Sequence, residues 1–171
     1  MKGVAQVLHG AFIRALGASV LAHSPLSDKP LSLDLALPCP PRLRVYLYSL
    51  VSGRGTVRSS EYKCVLRLRG QPIGEYASFD QSGGRFVIVA GYRPDLDVFV
   101  LWDAVLHPRF KSGVNIQVRD SVVHAAAASG RAEQIKLLPS GATELVIACQ
   151  SPSLASAIDD RIAWTGGYEV R

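Results

Sequence analysis

The sequence predicts an α+β fold, a mostly antiparallel central sheet flanked by an N-terminal helix and C-terminal helices. Three observations predict it. Helical spacing of apolar residues is confined to the start of the chain and to its last third. From Arg42 to Val118 the apolar residues either alternate or run together for only a few positions, as strands do. No helical segment separates those strands, and parallel neighbours joined in sequence need such a crossover. At 171 residues, 48% apolar and 19% charged, the chain is long enough for one well-packed domain spanning residues 1–171.

The opening helix follows from Val4, Val7, Leu8, Ala11, Ala15 and Leu16 at helical spacing, with Gly17 in its second half and Ser24-Pro25 ending it. His9 and Arg14 interrupt its apolar stretch and only Lys2 charges its start, so it reads as part of the folded domain and not as a signal peptide. Pro25, Pro30, Pro38, Pro40 and Pro41 bracket LSLDLAL, which reads as a stiff loop or an edge strand. RLRVYLYSL and EYKCVLRLRG alternate as strands. In the second, Tyr62, Cys64, Leu66 and Leu68 share one face, and Glu61, Lys63, Val65, Arg67 and Arg69 the other. GQPIGEYASFDQSGG is loop with a short strand between Glu75 and Phe79. RFVIVAGY and DVFVLWDA are unbroken apolar runs, suited to central strands covered on both faces. Asn115 to Val118 forms a short strand. Asp120 or Ser121 then caps a helix through VVHAAAA, closed by Ser129-Gly130. TELVIACQ is a further strand, and Ser151-Pro152 starts a last helix with Leu154, Ala155, Ile158, Ile162 and Trp164 on one side. The apolar runs are too short to span a bilayer. The three cysteines, Cys39, Cys64 and Cys149, are far apart and read as reduced thiols of a cytoplasmic protein.

Charge gives the first functional direction. Arg42 to Gly70 carries Arg42, Arg44, Arg54, Arg58, Lys63, Arg67 and Arg69 against Glu61, a net +6 where the whole chain carries +5. Concentrated positive charge favours a polyanion, and duplex DNA or RNA is the usual one. Tyr46, Tyr48 and Tyr62 are interleaved with it. The competing reading is a solvated sheet face with arginine at alternate positions. Arg54 and Arg58 fall in the Gly- and Ser-rich connection SGRGTVRSS, which is expected to be exposed and to reach a DNA backbone or base.

Catalytic patterns are sparse. Glu61-Tyr62-Lys63 has the Glu-x-Lys spacing of a divalent-metal PD-(D/E)xK nuclease, with Asp34 as the upstream acid. Seven local bases favour Glu61 as a partner for Arg58 or Lys63 over a metal ligand. There is no nucleophile elbow, phosphate loop or dinucleotide fingerprint, and the four scattered histidines suggest no zinc site. No cofactor is expected. A modified-base reader would need a stacking pocket, for which Tyr92 and Trp102 are candidates that suit a core equally well. The remaining informative element is Trp102 to Ser112, a core strand running into a loop where His107, Pro108 and Phe110 alternate with Arg109 and Lys111. Proline and phenylalanine give a rigid apolar surface and the bases attract an anion. The competing reading tucks Phe110 into the core.

EYKCVLRLRGQ, GGRFVIVAGY, DVFVLWDAVLHPRF and NIQV together resemble the DNA sulfur-binding domains, the phosphorothioate readers found beside HNH nuclease domains in bacterial type IV restriction enzymes. The resemblance covers roughly residues 42 to 165. It implies a non-catalytic module of bacterial defence that binds double-stranded DNA with sulfur in place of a non-bridging phosphate oxygen, with cleavage left to a fused or partner HNH nuclease domain. It further implies an apolar sulfur notch at Pro108, with His107 and Phe110 beside it. Arg54, Arg58, Lys63, Arg109 and Lys111 would then meet the DNA. Sulfur is larger and more weakly hydrated than oxygen, so a dry notch suits it while the phosphate charge still needs cations. The chain departs from the family pattern at His107, where some relatives have tyrosine, and at Lys111, where a small residue is usual.

Overall fold

The first helix, α1 (Val4–Leu16), buries Leu8, Ala11, Phe12 and Leu16. It stops earlier than its apolar spacing suggests, because Gly17 takes φ 55, ψ −126, a conformation that glycine tolerates and other residues resist. A single 3₁₀ turn, Gly17–Ser19, leads into β1 (Val20–His23), so the last part of the expected helix is a strand. The computed structural model describes residues 1, 3–36, 39–53 and 60–169, with 165–169 as backbone only.

Then come β2 (Leu31–Leu35), β3 (Arg42–Ser49), β4 (Val51–Ser52), β5 (Glu61–Leu66), β6 (Tyr76–Ala77), β7 (Phe86–Arg93), β8 (Val98–Asp103), β9 (Phe110–Lys111) and β10 (Val114–Arg119). The chain continues through α2 (Asp120–Ser129), β11 (Arg131–Leu137), β12 (Thr143–Cys149) and α3 (Leu154–Glu169). A seven-stranded sheet has the order β1-β2-β3-β7-β8-β12-β11, antiparallel except for the β3–β7 pair. A three-stranded sheet, β10-β5-β4, and the small pair β6-β9 complete it. The architecture is α+β. β2 lies inside the large sheet, so the LSLDL part of that segment is neither loop nor edge strand. None of the five prolines falls within β2, which leaves its ladder donors intact. Among the described residues the parallel pair has no helical crossover, and the chain between β3 and β7 instead contributes β4, β5 and β6 to the other two sheets.

The large sheet is covered on both faces. α1 packs on β3 and α3 on β8 and β12, over a core that includes Phe12, Leu33, Leu43, Ile88, Phe99, Leu101 and Ile158. The opposite face, with Val89, Val100, Trp102 and Val146, meets Tyr62, Cys64, Ile116 and Val118 of the small sheet and Val123 of α2. This is why β7 and β8 read as unbroken apolar runs. Four strands are not expected from the sequence: β1, which reads as helix, the two-residue β4, β9 and β11. β9 has only two residues, and β11 (RAEQIKL) is an edge strand whose alternation is masked by Gln134 at an inward position. In α2 the N-cap is Arg119, with Asp120 as the first helical residue and no side-chain cap bond, while Gly130 closes the helix at φ 95 as expected. In α3, Trp164 is exposed, and Arg161 is fully buried together with Leu154, Ala157 and Ile158. All three cysteines are free and buried. No helix among the described residues is long and apolar enough to cross a membrane.

Two stability predictions follow from this packing. A Cβ at Gly91 would sit 2.5 Å from Cys64 Sγ on the facing small sheet and 3.2 Å from Leu50. Gly91→Ala should therefore lower unfolding free energy by about 1–3 kcal/mol in denaturant titration. The buried His9 donates from Nδ1 to the Leu26 carbonyl at 2.8 Å, and burial pushes its pKa below the ordinary 6.5. The folded protein thus disfavours the imidazolium, and the unfolded chain binds more protons below about pH 6.5. Stability from this site is complete above that pH and is lost as pH falls towards the folded value. The thermal midpoint of His9→Gln should fall less steeply between about pH 7 and pH 5.

Candidate nucleic-acid interface

The loop after β8 is held from beneath by a polar cluster. Asp103 Oδ1 accepts from the Val105 amide at 2.9 Å and starts a 3₁₀ turn, Ala104–Leu106. Glu144 of β12 is fully buried, and its Oε2 accepts from the Asp103 amide at 3.2 Å and from His107 Nε2 at 2.8 Å. Arg161 of α3, also fully buried, has Nη2 3.6 Å from Asp103 Oδ2. The loop is therefore fixed on both sides of its turn before it reaches the surface.

What it presents there differs in part from the sequence reading. Pro108, Arg109 and Lys111 are exposed. Phe110 is largely buried and packs on Phe79, with ring centroids 4.6 Å apart, so most of its ring belongs to the core while its remaining surface lines the groove beside it. His107 is turned inward to Glu144, which makes it an anchor for the loop. Tyr76 joins these two at the groove. It is exposed, pairs across from Lys111 in the β6–β9 ladder, and carries the Arg109 guanidinium over its ring at 4.2 Å. That is cation–π distance, and the stacking aims Arg109 along the surface. Together Tyr76, Pro108, Arg109, Lys111, Val114 and Asn115 line an open groove of about 410 Å³.

The other predicted residues are dispersed. Lys63 is half-buried on β5, opposite Gln117 of β10 and Val51 of β4. Arg67 is exposed and donates from Nε to Ser112 Oγ at 3.0 Å, next to the groove. Arg44 is spent on structure, donating to the carbonyls of Asp80 and Ser82 at 2.7 and 2.9 Å. Arg54 and Arg58 lie outside the described residues. Asp34 pairs with Arg85 at 3.2 Å on β2 of the large sheet, whereas Glu61 and Lys63 lie on β5 of the small one. The adjacent-strand carboxylates of a PD-(D/E)xK site are thus not assembled. Among the described residues no three His, Cys, Asp or Glu side chains gather as a metal cluster. Tyr92 stacks on Phe99 at 4.1 Å and donates to Asp97 at 3.0 Å, and Trp102 is fully buried, donating to the Gln117 carbonyl at 3.2 Å. Both are core residues, so neither forms a base pocket.

Sequence reasoning missed Glu144, Asp103 and Tyr76. The first two carried a usable signal, an acid in or at the end of an otherwise apolar strand (TELVIACQ, VFVLWD), where burial demands a partner. Tyr76 had none.

A family model described as methylase-associated X1 matches residues 41–158, from just before β3 into α3, and so includes the groove with Asp103, His107 and Glu144, while Arg161 lies just beyond the match. No curated protein and no solved structure matches.

The division between anchor and surface is testable by stability alone. Phe110→Ala should cost about 3–5 kcal/mol, as for other buried aromatics. Pro108→Ala should change the denaturation midpoint little, since Pro108 is exposed. Equal, small losses would return Phe110 to the surface.

Proposed function

The chain belongs to the methylase-associated X1 family, and on that premise we propose that it is the non-catalytic DNA-recognition module of a restriction–modification system. Association with restriction–modification comes with the family. The further step to DNA rests on one observation, the pre-shaped groove lined by an exposed proline, an oriented arginine and a lysine. A phosphate backbone needs cations, and a rigid loop presents them with little ordering cost. Arg109 stacked on Tyr76, with Lys111 across the ladder and Arg67 beside it, meets that need.

The finer reading is that the groove prefers a phosphorothioate linkage in double-stranded DNA. Pro108 and Val114 supply apolar contacts for a weakly hydrated sulfur, and Arg109 and Lys111 hold the remaining charge. His107 contributes by fixing the loop through Glu144. Phe110 supports the loop from the core. Lys63, Arg54 and Arg58 extend the contact along the DNA. Cleavage belongs to a separate HNH nuclease domain or partner, and this chain uses no cofactor.

A gel-shift comparison of one duplex with and without a single phosphorothioate, without metal, tests both levels. The modified duplex should bind at least about tenfold tighter, equivalent to about 1.4 kcal/mol. Arg109→Ala and Lys111→Ala should each reduce the salt slope by about one unit. Equal affinities would remove the sulfur preference and keep DNA binding, whereas no retardation of either duplex at low salt would remove both. Metal-dependent cutting lost in Glu61→Ala would make the chain a nuclease instead.

A further inference from the structure

A second site lies at the side of β3 where its ladder to β2 ends. Leu31 pairs with Val45 and Leu33 with Leu43, while Ser32 turns its amide and carbonyl the other way, to Ser24. The peptide groups of Leu43 and Val45 therefore face β2, and by strand alternation those of Leu47 point the same way. β2 begins only at Leu31, preceded by Pro30, which has no amide proton to offer. On its other side β3 stays paired with β7 as far as Ser49 and Tyr92. Among the described residues Leu47 has no hydrogen-bond partner on the open side.

This open edge is enclosed as a slot of about 270 Å³, lined by Tyr46, Leu47 and Tyr48, with Lys29, Arg67 and Arg69 around it. Its walls are held in place. Tyr46 Oη accepts from the Asp80 amide at 2.9 Å, and Tyr48 Oη donates to the Arg67 carbonyl at 3.2 Å. Lys29, Arg67 and Arg69 are exposed and face one acid, Asp80. An amide and a carbonyl side by side, next to tyrosines and ringed by cations, fit one ligand chemistry. A nucleobase edge carries adjacent donors and acceptors, its ring is apolar, and its phosphate needs positive charge. An extended peptide fits less well, because strand addition needs a longer open edge than the few residues after Val45. The volume is below the usual range of small-molecule sites, roughly 300–1,000 Å³, and admits one base but no duplex.

We infer that this slot binds a single unpaired nucleotide, its base on the Leu47 edge and its phosphate among Lys29, Arg67 and Arg69. The slot stands beside the Pro108 groove, since Arg67 lines the slot and bonds Ser112 in the turn after Lys111. This link to DNA rests on the function proposed above. DNA lying in the groove would bring a neighbouring nucleotide to the slot, where a mismatched base is everted at least cost.

Amide NMR on the full chain separates the possibilities. Adenosine monophosphate should shift the Leu47 amide, inorganic phosphate alone should not, and Arg69→Glu or Lys29→Glu should weaken nucleotide binding at least about tenfold with unchanged thermal midpoints. A mismatched duplex carrying 2-aminopurine should brighten on binding, and Arg69→Glu should abolish that rise. No shift at Leu47 with adenosine monophosphate, or an equal shift with phosphate, would overturn the slot even if duplex DNA still binds the groove. Shifts from adenosine monophosphate without any duplex binding would support the slot as a free-nucleotide site and sink only the DNA reading.

Discussion

A buried carboxyl group organises the surface of this protein. Glu144 sits inside β12 with no solvent contact, and its Oε2 gathers the Asp103 amide and the His107 ring. A polar group in that position costs about 2–7 kcal/mol if left without partners. The end of β8 and the start of the following loop are thus compelled to supply them. The loop cannot relax without stranding Glu144, and so Pro108, Arg109 and Lys111 emerge from the sheet in one arrangement. Arg161 beside Asp103 ties α3 to the same point. The groove is in this sense an outcome of core chemistry, with its exposed residues free of structural duty.

Basic residues divide along the same line. Arg44 holds the turn at Asp80 and Ser82, and Arg85 holds Asp34 and the Leu33 carbonyl. These arginines brace the sheet margin, and their charge is committed. Arg67, Arg69, Arg109 and Lys111 remain at the surface, around two neighbouring concavities with aromatic walls. These basic residues are therefore two populations in space, one structural and one available to a polyanion. Only the second contributes to a field that a nucleic acid would meet.

The sequence by itself determined the fold class and the central strands. FVIVAGY and VFVLW had to be covered on two faces, because no alternation offered a face to water, and α1 and α3 had to supply one of the covers. It also determined that Pro108 leaves a core strand among bases, since Val98 to Trp102 form an unbroken apolar run of strand length. The tertiary structure alone decided which of His107, Phe110 and Tyr76 would be seen from outside. Phe110 and Tyr76 are both aromatic residues near bases, and only packing against Phe79 sends the first inward while the β6–β9 ladder holds the second out. Tertiary structure also decided the parallel β3–β7 pair, the separation of Asp34 from Glu61, and the open edge at Leu47. Each depends on which strand lies beside which, a contact between residues distant in sequence that no local periodicity records.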